Sequence, residues 1–175
     1  MNARAPHSRL YLVGLLVALA LLSAGCSTVT KSDAMKPPPL AVVPETYPEP
    51  VALLVSGEPR GIAVDNFRVA LSEALLENRL FSAVEDNAPL LLEVRFNTVS
   101  QPLFGLSFTV DINSSWSLFR RPSQERLWVE PVSSTYSGGA EGGFVGANRL
   151  RRATEGAARE LIGHGLDALS RADLP

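Results

Sequence analysis

The sequence predicts a single α+β domain of order β-α-β-β-β-α, with two helices packed on one face of a mixed, largely antiparallel sheet. Three observations carry this prediction. Two stretches alternate apolar and polar residues with the period of a strand, two others space their apolar residues for a helix, and an apolar run stands before the first helix.

The first element is "VALLVSG", Val51 to Gly57, apolar on both alternations and therefore expected to be covered on both faces. In "VDNFRVALSEALLENRLF", Phe67, Ala70, Leu71, Ala74 and Leu75 form one helical stripe, with Asp65 read as N-cap and Asn78 as stop. Phe81 to Val84 reads as a short strand. In "LLLEVRFN", Leu90, Leu92, Val94 and Phe96 alternate with Leu91, Glu93, Arg95 and Asn97. In "FTVDINSSWSLF", Phe108, Val110, Ile112, Trp116 and Leu118 share one face, opposite Thr109, Asp111, Asn113, Ser115 and Ser117. "RLWVEPVSSTY" is a further strand, in which Pro131 requires an edge or a bulge because it lacks an amide donor. These last three strands form an antiparallel meander. After the loop "SGGAEGGFVG" comes a helix from Ala147 to about Arg171, with an apolar side of Leu150, Ala153, Ala157, Leu161, Ile162, Leu166 and Leu169. Its Gly156, Gly163 and Gly165 weaken it intrinsically by up to about 1 kcal/mol each, so it needs the sheet for support.

Ahead of this domain the composition changes. From Ser27 to Pro50 the chain carries six prolines, which fix φ and remove amide donors, so a semi-rigid extended tether is expected rather than helix or central strand. Fully extended it would reach up to about 70 Å; the alternative is that it packs along the domain. Earlier still, Arg4, His7 and Arg9 precede the uncharged "LYLVGLLVALALL", Leu10 to Leu22. As a helix this run spans only about 20 Å against a hydrocarbon core of about 30 Å, so it reads as the apolar region of a secretory signal. A short transmembrane anchor is the competing reading. Two of the 16 basic residues and none of the 18 acidic ones lie before Cys26, so the remainder carries a formal charge of about −4. That balance argues against a nucleic-acid partner.

Residues 23–26, "SAGC", place three small residues before the only cysteine. A disulfide would need a second cysteine, and a zinc site would need clustered Cys or His, whereas only His164 follows Cys26. The segment "LSAGC" resembles the lipobox of bacterial lipoproteins. The resemblance implies a signal peptide of residues 1–25, a lipidated Cys26 opening a Pro-rich tether at 26–50, and a periplasmic domain at 51–175. One acyl chain binds membranes only marginally, at about 0.8 kcal/mol per buried methylene, so the several chains implied at Cys26 make a sufficient anchor. Ser27, in place of an Asp, implies the outer membrane.

No catalytic constellation emerges from the rest. The glycine loop ends in neither a P-loop nor a dinucleotide pattern. His164, the only histidine after Cys26, lies in the last helix beside Gly163 and Gly165 and reads as half-exposed packing rather than the base of a triad; Glu85 and Asp86 fall in a turn, and Glu73 with Glu77 fall on a solvated helical face. Arg149, Arg151 and Arg152 open the last helix, against its dipole; an acidic partner, anionic lipid or lipopolysaccharide phosphates are one reading, and ordinary intrahelical pairing among Glu155, Arg159 and Glu160 nearby is the other. Trp116 and Trp128 belong to the sheet core or its rim. No metal, cofactor or catalytic residue is therefore expected.

The segment "FRVALSEALLENRLFSAV" resembles the strand-helix-strand unit of penicillin-binding-protein activator lipoproteins, the curli secretion lipoprotein and the amino-terminal domain of the Tol propeller protein. The closing "NRLRRATEGAARELIGHGLDAL" is similar to the terminal helix of proteobacterial lipoproteins. The expectation is a non-enzymatic, outer-membrane-anchored accessory that binds a protein partner in envelope assembly or transport. The alternatives are a lipid- or glycolipid-binding carrier, which requires an apolar cavity between sheet and helices, and a peptidoglycan-binding module.

Overall fold

The computed structural model describes residues 29–41, 47–102, 108–138 and 146–174. In chain order the elements are α1 (Ser32–Met35), β1 (Val51–Ser56), α2 (Val64–Glu77), β2 (Leu90–Ser100), β3 (Phe108–Arg120), β4 (Glu125–Gly138) and α3 (Gly146–Ser170). The strands form one mixed sheet in the order β1-β2-β3-β4, parallel between β1 and β2 and antiparallel between the others. The parallel pair requires a crossover connection, and α2 supplies it.

The alternation read from the sequence becomes two faces. Leu90, Leu92, Val94 and Phe96 of β2, and Phe108, Val110, Ile112, Trp116 and Leu118 of β3, are buried together under α2 and α3. Ser114 shares this face although it is polar. Its hydroxyl donates to the Val132 carbonyl at 2.9 Å and accepts the Trp116 indole N–H at 3.1 Å, so the buried polar group is satisfied. The glycines of α3 also have a use there. A Cβ on Gly165 would stand 2.4 Å from the Trp116 ring, and one on Gly156 would stand 2.6 Å from Tyr136. The intrinsic weakness of these positions is the condition for helix and sheet to approach so closely.

Four expectations are corrected. Strand β1 is not covered on both faces along its length: Ala52 is buried, but Leu54 on the same face is 45% exposed. Phe81 to Val84 makes isolated bridges, Tyr47 with Phe81 and Val51 with Val84, and does not join the sheet. The N-cap of α2 is Ala63, with Asp65 in the first turn paired to Arg68 at 3.2 Å. Asn78 does stop this helix: its side-chain amide donates to the Ala74 carbonyl at 2.7 Å. The fourth correction concerns the Pro-rich segment, for the residues described. Instead of standing off as a spacer, residues 29–41 lie in the groove between α2 and α3 and open with the helical turn α1, which fits before the first proline, Pro37. Met35 is fully buried in the common core, and Pro37 lies 3.6 Å from where a Cβ of Gly163 would be. Each helix meets this strap over more residues than it meets the other helix.

Candidate functional site: anchor junction and open sheet face

Cys26, the one residue to which the sequence gives a chemical role, and the glycine loop at 139–145 lie outside the described residues. What the structure does describe is where the chain that follows Cys26 enters the domain. Thr30 is fully buried. Its hydroxyl accepts the Ala63 N–H at 2.9 Å, satisfying the amide that opens α2, and its carbonyl accepts the Asn66 side-chain amide at 2.6 Å. One residue on, the Lys31 N–H donates to Oε1 of Glu155 at 2.9 Å, and the same oxygen receives Nη1 of Arg151 at 2.7 Å. The Arg151 and Glu155 side chains are 15% and 5% exposed, so this is a shielded i,i+4 pair. The intrahelical pairing read from the sequence is therefore present. Its use was not readable, because the carboxylate also clamps a backbone 124 residues away.

Further along, the strap is tied at two more places. Lys36 reaches Glu77 at 3.0 Å and Glu73 at 4.0 Å, so these two acids share a cation rather than standing alone in solvent. The hydrogen bond that the Lys36 ammonium donates to Glu77 holds its pKa above the ordinary lysine value. The Leu40 N–H then donates to Oδ1 of Asn78 at 2.7 Å.

The second feature is the sheet face that no helix covers. Near the ends of β2, β3 and β4 closest to Thr30 it is a ladder of hydroxyls and amides. Asn97 donates to Ser115 at 2.8 Å, Asn113 to Thr98 at 3.0 Å and Thr135 to Asp111 at 2.7 Å, while Thr109 and Ser137 bond at 2.9 Å. Toward the opposite end the same face turns apolar. Leu91, Glu93, Phe119, Arg121 and Gln124 line a shallow depression of about 510 Å³, with Arg126 stacked 5.9 Å over the Phe119 ring. On the same face Leu54 is 45% and Val129 49% exposed. A single sequence cannot separate these positions from ordinary strand apolar residues. What would have marked them is that Leu91 and Phe119 fall out of phase with the core alternation.

The remaining candidates are dispersed. His164 is exposed at the β4 edge, where Nδ1–H donates to the Ser133 carbonyl at 2.8 Å. Trp116 is wholly buried and Trp128 half-buried, so the two indoles do not form an exposed pair. Arg149 lies 5.5 Å over the Phe108 ring. A cleft of about 600 Å³ beside the end of α3 is lined by Tyr47, Phe81 and Leu169 among others; there burial pushes the Tyr47 phenol up, with Arg120 opposing. No described helix is long and apolar enough to cross a membrane.

No protein-family model matches the sequence, and no curated protein matches it. Solved structures share its fold. Protein XCC0632 from Xanthomonas campestris, of the DUF330 family, has a TM-score of 0.60 at 12% identity, over 81% of this chain and 94% of that one. The minor lipoprotein from Acinetobacter baumannii gives 0.52 at 12% identity, over 74% of this chain and 96% of that one. Protein CT253 from Chlamydia trachomatis gives 0.51 at 11% identity, over 71% and 96% respectively. At such identities the likeness is one of architecture, and architecture does not carry function with it.

Proposed function

We propose that this chain is an outer-membrane lipoprotein, cut after residue 25, acylated at Cys26 and facing the periplasm. Its α+β domain is a non-enzymatic accessory that binds a protein partner in envelope assembly or transport. The observation that carries the partner role is the uncovered sheet face, where Leu54, Leu91, Phe119 and Val129 gather apolar surface beside Arg121 and Arg126. Apolar anchors ringed by arginine and polar groups are the composition of protein interfaces. The lipobox "LSAGC" and the lipoprotein among the structures of like fold support the anchoring. So does the resemblance of the first strand-helix unit to envelope lipoprotein domains. A carrier role is disfavoured by the packing between sheet and helices, where Phe67, Leu71, Trp116, Leu161 and Ile162 are fully buried against one another.

Two experiments test this. In Cys26→Ala, palmitate incorporation and membrane fractionation should both be lost; unchanged labelling would overturn the lipoprotein assignment. A photo-crosslinking side chain at Phe119 should trap a discrete envelope protein in living cells, while one at Asn113, on the polar half of the same face, should not. Equal trapping at both positions, or turnover of a cell-wall substrate mapped to named side chains, would overturn the accessory role. Retention of the chain on purified sacculi would move the assignment to a peptidoglycan-binding module.

A further inference from the structure

The anchor junction constrains how the domain stands on its membrane, and this inference rests on the lipidation of Cys26 proposed above. The chain is clamped from Thr30 onward by Ala63, Asn66 and, through Lys31, Glu155. Only four Cα steps separate Cys26 from Thr30, a contour of about 14 Å at full extension. The reach of about 70 Å that an unpacked Pro-rich tether would give is therefore not available to the domain. The end of the domain that bears Thr30 must lie at the bilayer surface, and the opposite end must point away.

That end has the charge such a position calls for. Lys31 and Arg60 are exposed beside the junction, the latter on the loop whose carbonyl accepts the Gln101 side-chain amide at 2.9 Å. Arg152 is exposed in the second turn of α3, next to the shielded Arg151. Against these cations stand Glu58, Asp33 and Asp65, all exposed; Asp65 is paired with Arg68, and Glu155 is buried under Arg151. At the far end exposed acids and cations are balanced, Glu85, Asp86, Glu125 and Asp173 standing with Arg79, Arg121, Arg126 and Arg171, so what distinguishes the near-end cations is their distance from the anchor. With a Debye length of about 8 Å in physiological salt, the near-end cations lie within reach of lipid phosphates and the far-end acids do not.

We propose that the surface formed by Lys31, Arg60 and Arg152 seats the domain on anionic phospholipid headgroups, in one fixed orientation. The polar half of the open sheet face is then next to the membrane, and the apolar half around Phe119 is presented to the periplasm.

The test uses the lipidated chain, purified from membranes and reconstituted in vesicles of phosphatidylethanolamine and phosphatidylglycerol containing a headgroup nitroxide quencher. Because the Cys26 sulfur is acylated, a fluorophore can be placed singly at Glu58→Cys, near the junction, or at Ser123→Cys, at the far β-turn. The near probe should be quenched severalfold more than the far probe. That difference should shrink in vesicles of phosphatidylcholine alone and in the triple variant Lys31→Glu, Arg60→Glu, Arg152→Glu. An insertion of about ten Gly/Ser residues between Thr28 and Val29, adding an r.m.s. reach of about 18 Å, should reduce near-probe quenching without touching the clamped strap. Equal quenching of both probes in a chain that still floats with the vesicles overturns the fixed orientation. A full difference retained by the triple variant overturns the role of lipid charge. Failure of the underlying lipoprotein reading shows separately, as a chain that takes up no palmitate and stays out of the vesicle fraction.

Discussion

The two faces of the sheet are built from alternate residues of the same strands, yet they differ in what a substitution can disturb. Under the helices the large apolar side chains of Leu90 to Phe96 and Phe108 to Leu118 that face them are buried, the buried serines 114 and 134 are hydrogen-bonded, and two glycines of α3 make room for aromatic rings. On the open side, hydroxyls and amides bond across the strands at one end and apolar side chains stand in solvent at the other. The comparison teaches that close packing is concentrated on one face while the other leaves apolar side chains in solvent. A sheet side kept uncovered at the cost of exposing Leu54 and Val129 is where a partner would be sought.

Substitutions can break or sharpen this contrast. The largest effect is expected for Trp116→Ala, which should cost about 4 kcal/mol in denaturant unfolding by emptying the centre of the covered face. Gly165→Ala should follow at about 3 kcal/mol, because its Cβ would stand 2.4 Å from that indole. The penalty should shrink in a Trp116→Phe background; full additivity of the two changes would show that ring contact is not its cause. Glu155→Ala removes the acceptor shared by Arg151 and Lys31, and about 2 to 3 kcal/mol is expected, since the pair is shielded but not sealed. Limited trypsin digestion should then cut after Lys31, a site that resists cleavage in the parent. By contrast, Leu91→Ser with Phe119→Ser should change stability by less than about 1 kcal/mol while abolishing crosslinking from the open face. If that pair proves as damaging to folding as a core substitution, the division between the two faces fails. The smallest effect belongs to Lys36→Met. The folded-state value of this lysine is raised by Glu77, so its contribution is present at neutral pH and lost as the pH rises through that value. Parent and variant unfolding midpoints should therefore converge in alkali, and a gap that persists there would assign the effect to packing.

Much of this was legible in the chain. The β2 and β3 alternations, the stripe from Phe67 to Leu75, Asn78 as a stop and Pro131 on an edge strand all follow from local sequence, because backbone geometry fixes which neighbours share a face. The misplaced N-cap, by contrast, has a non-local cause. Asp65 is a good capping residue by type, but the chain enters the helix at Ala63, whose N–H found its acceptor in Thr30, 33 residues upstream.

The sequence by itself determined the order and type of the sheet strands and the two long helices from Val51 onward, the alternation that divides the sheet into two faces, and a segment that resembles a lipobox. Only the tertiary structure decided that residues 29–41 are a strap within the domain. Its ties to Ala63, Glu155, Asn78 and Glu77 link residues that are remote in the chain, and a Pro-rich segment carries no periodicity to announce them. The same holds for Gly156 and Gly165, which in isolation weaken a helix. Only the rings of Tyr136 and Trp116, brought against them by the sheet, give the missing side chains a reason.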